Sequence, residues 1–186
     1  MGITASCNVR DVVPWMENVG AKARNATRMA GTSALRAMRA ESSRRIREKK
    51  AIKPGHIDTA LALIYPSNKD LFVWRLVAKA KPLPLIAFGA RQTTSGVSVE
   101  VTKGKRATVA HAFLATMASG HKGVFMRRGP KRIATKGGHM GKRRQPIFEA
   151  FTASVAPTLG RVAPEVLERG KDVFRATFTR LVKVPR

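Results

Sequence analysis

The sequence predicts an α+β fold: a long N-terminal helix, a compact antiparallel β module and a C-terminal helix. Three observations carry this. Val19, Ala23, Ala26, Ala30, Ala34 and Ala37 recur every three or four positions, the period of one helix face. Apolar residues alternate through 71–80 and 97–101, the period of a half-buried strand. An amphipathic pattern returns over Val162–Val182, with Val166, Leu167, Val173, Phe174, Phe178, Leu181 and Val182 on its apolar side.

Taken in order, residues 1–10 read as a flexible arm and residues 11–186 as a single α+β domain. A helix is expected from about Val12 to Lys50, with Leu35, Met38 and Ile46 extending its apolar face. Glu41 with Arg45 and Arg44 with Glu48 add i,i+4 support, and Gly20 and Gly31 weaken the helix and allow a bend. Such a helix would reach roughly 45–55 Å, more than a small β module covers. The seam of Ala23, Ala26, Ala30 and Ala34 is therefore expected to pack on a second copy in a homo-oligomer, and closed rings are the usual way such surfaces are satisfied. Pro54-Gly55 ends the helix.

A short second helix is expected over Gly55–Ile64, then a turn at Tyr65-Pro66-Ser67-Asn68. Leu71–Ala80 reads as a strand. Pro82 and Pro84 suit a sheet edge or corner, followed by a short strand over Leu85–Phe88. Val97–Val101 is a further strand and Lys103-Gly104-Lys105 a turn. Ala112–Met117 fits either a strand or a short helix, and Val124–Met126 is another strand. Residues 127–145, rich in glycine and cations, read as a long flexible loop. Order returns at Pro146-Ile147-Phe148-Glu149.

Charge is the most extreme property. The chain carries 36 Lys plus Arg against 11 Asp plus Glu, a net +25 over 186 residues. Such a charge repels itself in a compact monomer and seeks an anionic partner. The 44% hydrophobic content provides a core and excludes wholesale disorder. A single cysteine, Cys7, leaves no internal disulfide and no cysteine zinc site. His56, His111, His121 and His139 show no H-x-x-x-H spacing, so no metal site is expected. MGITASCNVRDVV lacks the basic and apolar blocks of a secretory signal. The longest apolar runs, LALIY and PLPLIAFGA, are too short to span a bilayer, so no membrane partner is expected. A myristoylation-like match at Gly2–Ser6 and a glycosylation-like match at Asn25-Ala26-Thr27 read as accidental.

No acid occurs between Glu100 and Glu149. Arg127, Arg128, Lys131, Arg132, Lys136, Lys142, Arg143 and Arg144 thus share one glycine-rich stretch that suits DNA phosphates. The same run would also suit a solvated surface or an acidic protein. Sequence readout is not expected, because no zinc-finger spacing or aromatic RNA-binding signature occurs. Ser119-Gly120-His121 pairs a hydroxyl with an imidazole, but no G-x-S-x-G elbow occurs and no carboxylate is suggested to orient His121. There is no P-loop, and the acids are too sparse for a carboxylate-bound metal nuclease. No catalytic residue, metal, cofactor or small-molecule substrate is expected. Trp15, Trp74 and the phenylalanines read as core before they read as base-stacking platforms.

The run from Pro84 to Phe125 holds A-R-Q-T (90–93), G-V-S-V (96–99), a basic glycine turn (103–105), A-F-x-A-T-M (112–117), S-G-H (119–121) and G-V-F (123–125). In this spacing it resembles the prophage minor tail protein Z family, which is grouped with tail completion proteins. The likeness extends over roughly residues 20–182, with Arg144-Gln145-Pro146-Ile147 and Ser154-Val155 also fitting. The basic expansion from Ile133 to Arg143 is longer than the family pattern. The resemblance implies a non-enzymatic virion protein that completes the head-proximal end of a phage tail. It further implies a ring, commonly sixfold, that joins tail tube or terminator to the head-tail connector around the DNA channel. Localisation would be the virion, with host cytoplasm during assembly. The alternative is a cytoplasmic basic nucleic-acid-binding protein, ribosome- or nucleoid-associated.

Overall fold

The computed structural model describes the backbone of residues 3–8 and residues 21–66, 72–135 and 139–182 in full, except the side chain of Ala21. The expected helix start at 12–20, the turn residues Ser67 and Asn68, and Lys136 lie outside these residues. The architecture is α+β: an N-terminal helix, several small antiparallel sheets and a C-terminal helix. The chain separates into two compact units where one domain is expected. One comprises residues 1–47, 54–81 and 154–186; the other comprises 48–53 and 82–153. Each has buried apolar residues of its own.

The helical unit begins with β1 (Ile3–Asn8), which pairs antiparallel with β3 (Val73–Ala78) from Ile3↔Ala78 to Asn8↔Val73. These residues are thus a strand and not the loose arm that their polarity suggests. Strand β3 supplies an edge, and a six-residue segment gains a full ladder by occupying it. Helix α1 spans Ala21–Lys49; its 29 residues measure about 44 Å along the axis. Helix α2 covers Pro54–Ala60, and β2 (Leu61–Ile64) follows at once. The expected helix over Gly55–Ile64 therefore stops early. LALI pairs with the second edge of β3 from Leu61↔Ala78 to Ile64↔Arg75, so tertiary pairing overrides local preference.

Helix α3 runs from Ala156 to Val182, six residues ahead of the expected start. Pro157 sits in its first turn, where no donor is needed. The amides of Thr158 and Leu159 bond the Val155 carbonyl at 3.0 and 2.9 Å. Pro164 lies within the helix, at the loss of one backbone hydrogen bond. The buried side of this unit includes Leu35, Met38, Ile57, Leu76, Leu159, Val162 and Val166. Two buried hydroxyls return to their own helix: Thr27 Oγ1 donates to the Ala23 carbonyl at 2.9 Å and Ser42 Oγ to the Met38 carbonyl at 2.7 Å.

Ala23, Ala26, Ala30 and Ala34 are also buried, at 3, 4, 0 and 8% exposure. They pack within the chain, so they cannot form the oligomer interface expected of them. Gly31 lies on the same helix. A Cβ there would come within 2.3 Å of the Trp74 indole, so the glycine makes room for a ring.

The β unit is built of short strands. β4 (Leu83–Pro84) pairs with β13 (Phe151–Thr152), an edge ladder that tolerates Pro84. Leu85–Phe88 forms a 3-10 turn instead of a strand. Pro84 fixes the entry, and Gly89 at φ 59° closes it in the left-handed region. β5 (Arg91–Thr93), β6 (Gly96–Thr102) and β7 (Lys105–Ala110) form one meander. β8 (Ala112–Thr116), β9 (Lys122–Arg127) and β12 (Ile147–Glu149) form a second sheet, ordered β12-β9-β8. The ambiguous Ala112–Met117 segment is therefore a strand. Leu85, Val97, Val99, Ala112, Val124 and Ala150 make the core between these pieces.

The polar residues of the 90–106 region brace this core. Gln92 Oε1 accepts the Leu114 amide at 2.8 Å while Gln92 Nε2 donates to the Gly96 carbonyl at 2.9 Å, tying β5 to β8. Arg106 donates to the Gly89 carbonyl at 2.9 Å and to Ser98 Oγ at 3.1 Å.

Candidate nucleic-acid interface

The basic stretch starts as the end of β9 and leaves the sheet as a hairpin. β10 (Arg132–Ile133) pairs antiparallel with β11 (Arg143–Arg144), Arg132 opposite Arg144 and Ile133 opposite Arg143. The ladder continues outward, because the Ala134 amide bonds the Lys142 carbonyl at 3.0 Å and the Gly141 amide bonds the Ala134 carbonyl at 2.9 Å. It is anchored at the base by the Arg128 amide on the Pro146 carbonyl at 3.1 Å and by Gln145 Nε2 on the Gly129 carbonyl at 3.2 Å. The segment is thus a hydrogen-bonded ribbon where a featureless loop is expected. A composition of Gly, Lys and Arg hides this, because the ladder is made by the backbone.

Of the eight cations singled out, the structure places seven, all exposed: Arg127, Arg128, Lys131, Arg132, Lys142, Arg143 and Arg144. The eighth, Lys136, lies outside the described residues. Like charges face each other across the ladder at Arg132 and Arg144, which is unfavourable without a counter-anion. Among the described residues no carboxylate lies within ion-pair distance of any of the seven. Arg127 is held differently, its guanidinium 5.4 Å from the centroid of the Phe113 ring. Residues 82–153 contain 13 Lys and Arg against Glu100 and Glu149 alone. Both acids are engaged, Glu100 by Arg106 at 3.4 Å and Glu149 by His121 at 3.0 Å. No described carboxylate offsets the positive field of the hairpin, and a polyanion backbone is one chemistry such a field suits.

The contact between His121 Nε2 and Glu149 Oε1 was not legible in the sequence, where no carboxylate is suggested for His121. The two residues are 28 positions apart, and β12 brings Glu149 back beside β9 through the pairs Ile147↔Arg127 and Glu149↔Phe125. His121 also meets the edge of the Phe125 ring, with centroids 6.3 Å apart. Among the described residues the hydrogen-bond partner of the His121 ring is Glu149. This contact ties the Met117–His121 turn, closed by the Met117 amide on the His121 carbonyl at 2.8 Å, to strand β12.

Among the described residues no group of three or more His, Cys, Asp or Glu could hold a metal, and no helix is long and apolar enough to cross a membrane. Known proteins do not extend the reading: no family model, no curated protein and no solved structure matches the chain.

Proposed function

We propose that this chain is a non-enzymatic structural protein of a tailed phage virion, completing the head-proximal end of the tail around the DNA channel. The carrying observation is the exposed basic hairpin within residues 82–153, which hold 13 cations and two engaged acids. Its cations hold the phosphates of the leading DNA end without reading sequence, since they sit on an exposed ribbon without a carboxylate partner. The A-R-Q-T to G-V-F pattern of the minor tail protein Z family supports the tail assignment, and the bonds made by Gln92 and by Ser98, which accepts from Arg106, give parts of that pattern a structural reason. The subunits form a ring that meets the tail tube or terminator on one side and the connector on the other.

With the alanine seam buried, the ring draws on other apolar surface. The end of α3 offers it: Phe174 and Phe178 stack 5.9 Å apart and are half-buried, and Leu181 is 38% exposed. The charge of +25 equally favours the second reading, a cytoplasmic ribosome- or nucleoid-associated protein. Quantitative mass spectrometry on purified tailed particles from the host separates them. The tail reading expects several copies per particle, retained through nuclease and high-salt washing. Absence from particles and co-purification with ribosomes or bulk nucleoid would assign it to the second.

A further inference from the structure

An open groove of about 890 Å³ lies entirely within the β unit, at the root of the basic hairpin. Its walls combine two chemistries. Phe148, Phe151, Met126 and Pro146 line it, together with Arg128 and Arg132. Phe148 and Phe151 are 52 and 51% exposed, although Phe88 and Phe125 in the same unit are buried at 0 and 5%. Two large aromatic side chains thus leave half their surface to solvent in one groove, beside two exposed guanidinium groups. Phe148 stands opposite Met126 in the β12–β9 ladder, and Phe151 sits on β13, so both rings are positioned by strands. Among the described residues neither Arg128 nor Arg132 has a carboxylate partner, and the one acid on the wall, Glu149, is engaged by His121.

We propose that this groove binds single-stranded nucleic acid, with bases stacked on Phe148 and Phe151 and the flanking phosphates on Arg128 and Arg132. The proposal rests on the phosphate-binding reading of the hairpin and adds to it a preference for unpaired strands. Aromatic faces beside unpaired cations are the arrangement that holds single strands without sequence preference: rings take bases and cations take the backbone. A duplex buries its base faces and can use only the cations. The occupant is then an unpaired DNA end or gap, and the hairpin alone would serve the adjoining duplex. Charge complementarity favours this occupant, because both faces of a nucleotide are met within one groove. An apolar acidic peptide would also meet both.

The test is fluorescence anisotropy of the full chain with a labelled 12-mer oligothymidine and a blunt duplex of equal length, at one salt concentration. Wild type should bind both, the single strand more tightly. Phe148→Ala with Phe151→Ala should weaken the single strand by at least about tenfold and leave duplex affinity within about twofold. Phe148→Leu with Phe151→Leu keeps apolar volume and should also lose single-strand affinity, which separates stacking from any loss of fold. Equal effects on both ligands, or none on the single strand, would overturn the groove proposal while leaving the hairpin reading intact. A peptide of alternating Glu and Phe that binds with sensitivity to the Phe substitutions, while oligothymidine does not, would also overturn it. Failure of wild type to bind either nucleic acid would remove the hairpin reading itself, and this proposal with it.

Discussion

Gly31 shows how one residue can look like a defect in a sequence and be a fitting in a structure. Within a helix it costs about 1 kcal/mol relative to alanine, yet a Cβ there would meet the buried Trp74 ring at 2.3 Å. Gly31→Ala is therefore expected to destabilise the protein by about 1–3 kcal/mol, overpacking outweighing helix preference; a rise in the urea midpoint would contradict this. Glu41 is a strongly perturbed acid. Hydrogen bonds from Arg44 and Arg45 hold its carboxyl far below the ordinary value of 4.5, down to about 2. Arg45 also reaches Glu165 on α3 at 3.0 Å, so the cluster joins two helices of one unit. Because the folded value lies below the unfolded one, the stabilisation is complete above about pH 4.5 and is lost as pH falls through about 2. Glu41→Gln should cost about 1–2 kcal/mol at pH 7, and its difference from wild type should shrink steadily on acidification. A pH-independent difference would assign the effect to packing. The Glu41–Arg45 pair was readable from i,i+4 spacing; the bond to Glu165 was not, because it joins residues 120 positions apart in the chain.

At the scale of elements, strong periodicity was legible and edge pairing was not. The alternation in Val97–Val101 and Leu71–Ala80 gave strands that the structure contains as Gly96–Thr102 and Val73–Ala78, and the small-residue seam gave α1. The seam's partner was misread: Ala23, Ala26, Ala30 and Ala34 face the chain's own interior, and helical spacing alone carries no information on what covers a face. β1, β2 and the ribbon β10–β11 are all short segments whose pairing is decided by an available edge or a backbone ladder. Composition is silent on both. The ribbon makes its own prediction. The Ala134 amide, bonded to the Lys142 carbonyl, should exchange with solvent at least about tenfold more slowly than in an unstructured chain. Exchange at the free rate would return the segment to a loop.

At the scale of the whole molecule, charge and the split into two units set the account. The helical unit buries its alanine seam and leaves apolar surface at the end of α3, among other places. If subunits meet there, Phe178→Glu should convert a ring to monomer in sedimentation velocity with little change in circular dichroism; an unchanged sedimentation coefficient would place the ring contact elsewhere. The β unit carries the basic hairpin, and phosphate binding by its cations is tested most directly by the salt dependence of duplex DNA binding. With about six phosphates neutralised, log affinity should fall against log salt with a slope of about −5. Replacing Arg127, Arg128, Lys131 and Arg132 with Gln removes up to four of those contacts and should flatten the slope to about −2, with assembly intact. An unchanged slope in the variant, together with lost binding to an acidic protein partner, would contradict the account and assign the hairpin to a protein interface.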